Sequence, residues 1–310
     1  MKVRIRDFFI TKQNWIFSVV SYDLGEEEVK CLLRYIPDDR GERVAERGRY
    51  RKLDFDEAYE FLGRQCPEYV KGGMQVVPKE DIKEILRPDD ELPLIAEREE
   101  QVQTIFELLG NRIQRDRIGI TGSYLCGLNS DNSDLDFVLY GLPNFNIARE
   151  VLEAAVEEGI LVEINDAVWR RIYIKRQPEL SYNCFVAHEQ RKKNRGAIGD
   201  TYLDILYTRD REEIKQLDMR NYEIGERVGY ATITAEVKDA SFSFDNPAIY
   251  EIEHPEISKV LSFTHTYVGQ ALAGEKIEAR GVIESTKHES RLVVGTTRDA
   301  KGEWIRSLSL

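Results

Sequence analysis

The chain has 310 residues, 42% of them hydrophobic and 32% charged, and its 44 basic and 56 acidic side chains give a net charge of −12. This composition is typical of a globular protein, excludes a disordered or collagen-like chain, and at this length suggests two or three domains. A charge this negative disfavours binding of nucleic acid by bulk charge, so RNA or DNA would need a local basic strip. No apolar run reaches the roughly 20 residues of a membrane span, and no membrane association is expected.

The N-terminal residues and the cysteines favour a cytoplasmic location. The start, Met1–Asp7, carries charges where a secretory signal needs an apolar core. The four cysteines lie far apart without a CxxC pair, as is typical of reduced thiols in a cytosolic protein.

Residues 1–92 predict an N-terminal α+β domain. The β-branched and aromatic runs Trp15–Tyr22 and Val29–Ile36 predict two antiparallel strands, with a turn at Asp23–Gly25 between them. The polar segment 38–52, which carries a basic cluster, is interpreted as a surface loop. Asp54 then predicts the start of a helix.

Two prolines guide the prediction at the end of this domain. Pro78 is expected at the first turn of a helix that ends near Arg87. The segment Pro88–Pro93 is interpreted as a linker, which places the first domain boundary between residues 92 and 93.

Residues 93–218 predict a central mixed sheet flanked by helices. One helix is expected from about Ile95 to Leu109, with a core-facing stripe at i, i+3, i+4 and i+7. Another is expected from Asn146 to Glu158. The candidate strands are Ile118–Ile120, Asp134–Tyr140, Ile160–Ile164, Arg171–Lys175, Tyr182–Ala187 and Tyr202–Thr208.

Residues 219–310 predict a C-terminal β-rich domain, because the helical period fades and strand-like runs alternate with Gly and Asn turns. A small barrel is one arrangement that fits these strands. The predicted fold class is therefore α+β, with a central mixed sheet between two flanking domains.

The chemistry is expected between residues 122 and 136. Asp134 and Asp136 are two apart in a predicted strand, so both carboxylates leave from one face. Two carboxylates this close repel each other unless a cation lies between them, and oxygen ligands suit Mg²⁺ or Mn²⁺. Gly122 permits close backbone approach, and Ser123 lies where a helix starting after a strand offers free N–H groups to phosphate. The combination indicates phosphoryl or nucleotidyl transfer.

A Gly-Ser pair, a gap of about ten residues and an Asp-x-Asp inside an apolar strand resemble the signature of the DNA polymerase beta-like nucleotidyltransferase superfamily. Gly127 and Ser133–Val138 look most like the compact archaeal and bacterial members, and the flanks resemble those of an archaeal group of predicted nucleotidyltransferases. The resemblance covers roughly Ile95 to Arg209. It implies transfer of a nucleoside monophosphate from a nucleoside triphosphate to an acceptor hydroxyl, with two divalent ions. The acceptor is left open between an RNA end, a protein and a small molecule.

The superfamily uses a third carboxylate on a later strand, and Asp204 is the best match because it is a lone charge in the apolar run Tyr202–Tyr207. Asp200 is the competing candidate, although Gly199 before it favours a turn. The resemblance thus assigns Asp134, Asp136 and Asp204 to catalysis and metal binding, and Gly122 and Ser123 to the nucleotide.

The basic run 191–195 is a further candidate, with Arg191 and Lys192 predicted to contact the triphosphate or a nucleic-acid backbone. A solvated loop is the competing interpretation of this run. The alternative function for the whole chain is a non-catalytic nucleotide- or RNA-binding protein built on the same fold.

Overall fold

A computed structural model describes residues 2–22, 25–297 and 300–310, so Asp23 and Leu24 of the predicted turn lie outside the described residues. The protein is mixed α+β, as predicted, and its strands form three sheets. Two compact units divide the chain: Met1–Val162 with Gly196–Asp210, and Glu163–Arg195 with Arg211–Leu310. The predicted boundary at 92/93 lies inside the first unit and that at 218/219 inside the second, so the three-domain division stays a prediction.

The first unit begins with an eight-stranded sheet in which β4-β5-β3-β2-β1-β8 form one path, while β7 pairs with both β3 and β6. The strands β2 and β3 are antiparallel, which confirms the predicted pair. The eight strands are β1 (Phe8–Thr11), β2 (Ile16–Val19), β3 (Glu28–Pro37), β4 (Arg43–Ala45), β5 (Gly48–Lys52), β6 (Val70–Lys71), β7 (Met74–Pro78) and β8 (Ile82–Leu86).

Helix α1 (Phe55–Gln65) confirms the helix predicted after Asp54. The Asp54 carboxylate accepts from the Glu57 backbone N–H, and the Glu57 side chain accepts from the Asp54 N–H, so two free donors of the first turn are satisfied. The helix buries Ala58 and Leu62 against the sheet.

Two predictions in the N-terminal region are wrong. Segment 38–52 contains the hairpin β4–β5 rather than a loop; its arginines look loop-like because strands near a sheet edge expose polar side chains. Residues Lys79–Asp81 form a short 3₁₀ turn and β8 follows, where a helix was predicted. Pairing of β8 with β1 overrides the local helix signals in this segment.

The predicted linker is also wrong, because it lies in helix α2 (Pro88–Ala96). Proline is favourable at the first position of a helix, where its missing N–H is not needed. Asp89, Asp90 and Glu91 place negative charge in the first turn, where the helix dipole favours it. The features that suggested a linker are therefore those of a helix start.

The second sheet of this unit has four strands in the order β11-β12-β10-β9. Its core lies against α5, where the rings of Phe145 and Tyr207 lie 5.8 Å apart. Helix α3 buries the predicted stripe Val102, Ile105, Phe106 and Leu109. The elements are α3 (Glu100–Gly110), β9 (Ile118–Ile120), α4 (Gly122–Leu125), β10 (Leu135–Tyr140), α5 (Leu142–Glu157), β11 (Arg195–Ile198) and β12 (Thr201–Thr208). The strand predicted at Ile160–Ile164 is reduced to one bridge between Val162 and Ala197.

The second unit contains three helices and a third sheet. Two of the helices lie where strands were predicted, at 171–175 and 182–187, and each begins at a capping side chain, Asn165 or Ser181. The elements are α6 (Asp166–Arg176), α7 (Tyr182–Arg191), α8 (Arg211–Lys215), β13 (Glu226–Asp239), β14 (Ala248–Glu253), β15 (Lys259–Ser262), β16 (Lys276–Ser285), β17 (Ser290–Val294) and β18 (Trp304–Ser307).

The third sheet closes on itself. Its order is β13-β14-β15-β17-β16-β18, and an additional pairing of β13 with β16 completes a ring of five strands. Strands β15 and β17 are parallel within this ring. The C-terminal region is therefore rich in β structure, as predicted, and forms a small barrel.

No helix among the residues described here has the length and apolar character needed to cross a membrane.

Candidate functional site

Two of the predicted acids lie side by side in the four-stranded sheet. Strands β10 and β12 are parallel, and their register places Asp136 directly opposite Asp204. Neighbouring strands are about 4.8 Å apart and opposed residues share a face, so the two carboxylates leave the sheet together. The flanking pairs, Leu135 with Leu203 and Phe137 with Ile205, share the opposite face and are buried.

The two opposed acids differ in their exposure to solvent. Asp204 is 4% exposed, and Asp136 is half-buried. Asp200, the competing candidate, is exposed in the turn before β12. The register therefore brings Asp204 beside the Asp-x-Asp sequence, whereas Asp200 lies outside the strand.

Gly122 lies against the carboxylate of Asp136. Strand β9 ends at Ile120, Thr121 donates its N–H to the Asp136 carbonyl (2.9 Å), and Gly122 then starts α4 with a φ of +71°. A Cβ atom at Gly122 would lie 3.0 Å from Asp136 Oδ2. Both the positive φ and this close approach favour glycine.

Asp134 lies just before β10 and is half-buried. It follows a tight turn in which Ser133 N–H donates to the Ser130 carbonyl (2.8 Å) and Ser130 N–H donates to Ser133 Oγ (2.9 Å). The turn fixes the chain immediately before the first acid of the Asp-x-Asp sequence.

The N-terminal sheet packs against the segment that joins Ser123 to Asp134. Leu125, Cys126 and Leu128 share one buried cluster with residues of that sheet, among them Tyr35 and Tyr50. Cys126 is thus a buried apolar side chain, and burial raises the pKa of its thiol. The site is built on both the predicted N-terminal domain and the predicted catalytic domain.

The electrostatics of Tyr35 link the two sheets. Burial raises the pKa of this phenol; the Asp136 carboxylate adds to the rise and the Arg43 guanidinium opposes it. Both charges therefore act on one hydroxyl at the back of the site. From sequence alone, the basic cluster around Arg43 is interpreted as a surface loop, because the position of Arg43 depends on pairing between distant strands.

The two predicted phosphate-binding cations lie in the second unit. Arg191 forms an ion pair with Glu275 (2.8 Å). Lys192 is fully buried and forms an ion pair with Glu189. Their interactions in that unit are those of structural ion pairs, and the site geometry described above does not depend on them.

The described residues contain no group of three or more His, Cys, Asp or Glu side chains arranged to hold a metal ion. Asp134, Asp136 and Asp204 do not form such a group in this structure, although Asp136 and Asp204 are in register. The structure thus brings together the carboxylates of Asp136 and Asp204, and Asp134 lies two residues before Asp136 in the chain.

A pocket of about 400 Å³ lies in the first unit beside the segment Tyr124–Asn129. The hairpin β4–β5 and helix α2 form its other walls. Its lining combines apolar side chains, including Leu94 and Ile95, with charged ones, including Arg98 and Glu99. Its volume falls within the range of small-molecule sites.

Comparison with known proteins gives one extensive match. The chain is 37% identical over 342 aligned residues to "Uncharacterized protein MJ1086" of Methanocaldococcus jannaschii, and the alignment covers 99% of each protein. No protein-family model matches the chain. No solved structure matches it. With an end-to-end alignment at this identity, the chain belongs to the same family as this archaeal protein.

Proposed function

We propose that this protein is a metal-dependent nucleotidyltransferase that transfers a nucleoside monophosphate from a nucleoside triphosphate to an acceptor hydroxyl. In this proposal residues 93–218 are the catalytic domain, flanked by the N-terminal α+β domain and the C-terminal β-rich domain. The proposed location is the cytoplasm, which the four free cysteines support.

The observation that carries the proposal is the register of Asp136 with Asp204. The two residues are 68 positions apart in the chain. The resemblance to polymerase beta-like enzymes implies an acid on the later strand, and Asp204 lies there. A strand fixes its side chains more firmly than a loop does, which suits a ligand or a proton acceptor. The carboxylates of Asp136 and Asp204 are therefore the proposed centre of the site.

The residues present fit a divalent cation in part. Neighbouring carboxylates repel each other, and Mg²⁺ or Mn²⁺ between them would relieve that repulsion. We propose that Asp134, Asp136 and Asp204 hold two such ions, with the Asp134 carboxylate brought to the pair when the metal binds. Bound metal would supply charge stabilisation for the attacking and leaving oxygens.

The remaining roles follow from position in the chain. Gly122 and Ser123, at the start of α4, are proposed to contact the triphosphate. Asp204 is proposed to hold the proton of the acceptor hydroxyl, since it is the most buried of the three acids. The pocket beside Tyr124–Asn129 is lined by residues that follow Ser123 in the chain and not by the three acids.

Pyrophosphate release tests the proposal. The protein is incubated with Mg²⁺ and each of ATP, CTP, GTP and UTP carrying an α-phosphate label, with total cellular RNA and protein as acceptors. We expect release with at least one triphosphate and label in one acceptor fraction. The Asp134→Asn and Asp136→Asn variants should lose it with the fold intact, while Asp200→Asn, which changes an exposed turn residue, should keep it. Full activity of Asp136→Asn would contradict the assignment.

One observation favours a second candidate, a nucleotide- or RNA-binding protein without catalysis. The three aspartates do not form a metal-holding group among the described residues. A pure binder has no need of that group. Saturable binding of a triphosphate or RNA, without pyrophosphate release in Mg²⁺ or Mn²⁺, would support this candidate over the enzyme.

A further inference from the structure

The loop before Asp134 is held by an arginine from the N-terminal sheet. The Arg43 guanidinium donates from one nitrogen, Nη1, to the Leu128 carbonyl (3.3 Å) and to Ser130 Oγ (2.5 Å). Ser133 Oγ lies 3.5 Å from the same nitrogen. Since Nη1 carries two hydrogens, the two shorter contacts are the hydrogen bonds and the third is a weaker approach.

The Arg43 side chain is withdrawn from solvent although it lies on a short strand near the edge of the sheet. Strand β4 is only three residues long, and the next side chain on it, Val44, is 58% exposed. The Arg43 side chain is nevertheless 17% exposed. Withdrawing a guanidinium from water is unfavourable unless hydrogen bonds replace the lost hydration. The loop carbonyl and hydroxyl provide part of that replacement, and the Glu42 carboxylate lies 3.8 Å from Arg43 Nε.

Arg43 joins the loop to the N-terminal sheet, whereas its other side-chain anchors are Asn129, which donates to Glu99 Oε1 (3.1 Å), and the turn between Ser130 and Ser133. The Leu128 side chain is fully buried in the cluster with Tyr35 and Tyr50. Beyond it, Ser130, Asp131 and Asn132 are exposed, and Asp134 follows after Ser133. The contacts of Arg43 thus span the exposed part of the loop, from Leu128, six residues before Asp134, to Ser133, one residue before it.

We propose that Arg43 is a positioning residue that fixes loop Leu128–Ser133 and thereby keeps Asp134 where its carboxylate can join Asp136 when a metal binds. The contact with the loop is independent of the proposed function, whereas the consequence for Asp134 rests on it. Lysine keeps the charge of Arg43 but not its planar guanidinium, so Arg43→Lys separates the hydrogen bonds to the loop from the charge.

The test compares Arg43→Ala with Arg49→Ala in the full chain. Arg49 lies on the paired strand β5, carries the same charge and donates to the Gly41 carbonyl (3.3 Å) rather than to the loop. Hydrogen–deuterium exchange of residues 128–134 measures how firmly the loop is held. Titration with Mn²⁺ measures the metal affinity of the aspartates. Ser130→Ala removes the 2.5 Å contact from the loop side and leaves the sheet intact, in case Arg43→Ala does not fold.

Loss of one or two hydrogen bonds predicts about tenfold faster exchange across 128–134 in Arg43→Ala and Ser130→Ala. Arg43→Lys should give a smaller increase, and Arg49→Ala none. Mn²⁺ affinity should fall in Arg43→Ala in the same direction as in Asp134→Asn.

Unchanged exchange in both Arg43→Ala and Ser130→Ala would overturn the proposal. Faster exchange with undiminished Mn²⁺ affinity, in a protein whose affinity does fall in Asp134→Asn, would overturn the link to Asp134. If the wild-type protein does not bind Mn²⁺ at all, the proposed function fails, and the exchange measurement alone decides whether Arg43 fixes the loop.

Discussion

Asp136 and Asp204 are directly opposed on parallel neighbouring strands, although 68 residues separate them in the chain. The whole of α5, α6 and α7 lies between them in sequence. Their pairing makes Asp204, rather than Asp200, the acid that shares a face with the Asp-x-Asp sequence.

This register predicts different outcomes at the two acids. Asp204→Ala should retain binding of a triphosphate and slow transfer by about two orders of magnitude or more, because it removes the group beside Asp136 that acts on the acceptor. Asp200→Ala should retain both, since Asp200 is exposed in a turn. Calorimetric binding and pyrophosphate release distinguish the two variants, and the reverse pattern would move the role to Asp200.

Gly122→Ala tests the close approach of the α4 turn to Asp136. Any side chain at a positive φ costs about 1–2 kcal/mol, and at Gly122 a Cβ would in addition lie 3.0 Å from Asp136 Oδ2. Gly127→Ala is the matched control, because Gly127 has a φ of +64° and no neighbouring atom within 4 Å of its Cβ position. We expect urea unfolding to show a larger loss of stability for Gly122→Ala, and transfer to fall only in that variant. Equal losses in both would mean that backbone strain alone matters.

The burial of Asp7 predicts that the protein loses stability as the pH rises, which is the opposite of the usual effect of an aspartate. It is fully buried, and burial raises its pKa to about 6, against the opposing effects of the Arg4 guanidinium and the hydrogen bond from the Arg4 N–H (2.8 Å). The folded protein therefore holds the proton more tightly than the unfolded chain, so this group's contribution is lost as pH rises from about 4 to about 6. The loss is on the order of 2–3 kcal/mol.

The measurement compares urea unfolding of the wild-type protein with that of Asp7→Asn at several pH values. Asparagine stays neutral, so the wild-type protein should lose stability relative to this variant across the interval and then show a constant difference above it. A difference that does not change between about pH 4 and pH 7 would contradict the prediction.

His188 predicts the opposite trend in the second unit. Its Nδ1 donates to the Cys184 carbonyl (2.7 Å), and its Nε2 accepts from the Ser307 N–H (2.9 Å), which requires a neutral ring. Burial lowers the pKa of this imidazole to about 4. Its contribution is therefore present above the usual histidine pKa of about 6.5 and is lost as pH falls towards 4, by about 3 kcal/mol.

An NMR titration of the imidazole nitrogens gives the direct check. The His188 imidazole should remain neutral as the pH is lowered to about 4–5. When the imidazole is protonated, the NMR signal of the Ser307 amide should shift. Removing the exposed His288 by His288→Gln serves as the control and simplifies the spectrum. Protonation of His188 near pH 6.5 would contradict the prediction.

Local chemistry was enough to predict several elements. The capping residue Asp54 marks α1, the stripe from Val102 to Leu109 marks α3, and the apolar run containing Asp204 marks β12. In each case one local preference and the final packing agree, so nearby residues suffice to predict the element. The choice of Asp134 and Asp136 as candidate acids likewise depends on their spacing and their apolar neighbours, whereas Asp204 is chosen as the best match to the third carboxylate that the resemblance implies.

Elements whose signals conflict were predicted wrongly. Pro88 with three acids after it resembles a linker but begins α2, and the aromatic runs beginning at Arg171 and Tyr182 resemble strands but follow the caps Asn165 and Ser181. Ile82–Leu86 follows a proline and two acids yet pairs with β1. Short segments of this kind have no strong preference, and a partner elsewhere in the chain decides their structure.

The sequence by itself determined the candidate residues: local pattern supplied the Gly-Ser pair and the two aspartates at spacing two, and the resemblance to polymerase beta-like enzymes supplied the lone acid of the later strand. Only the tertiary structure decided that Asp136 and Asp204 share a face, that Gly122 lies against one of them and that Arg43 holds the loop before Asp134. The physical reason is that strand register and contacts between residues 14 to 90 positions apart depend on how whole elements pack, which no local pattern specifies.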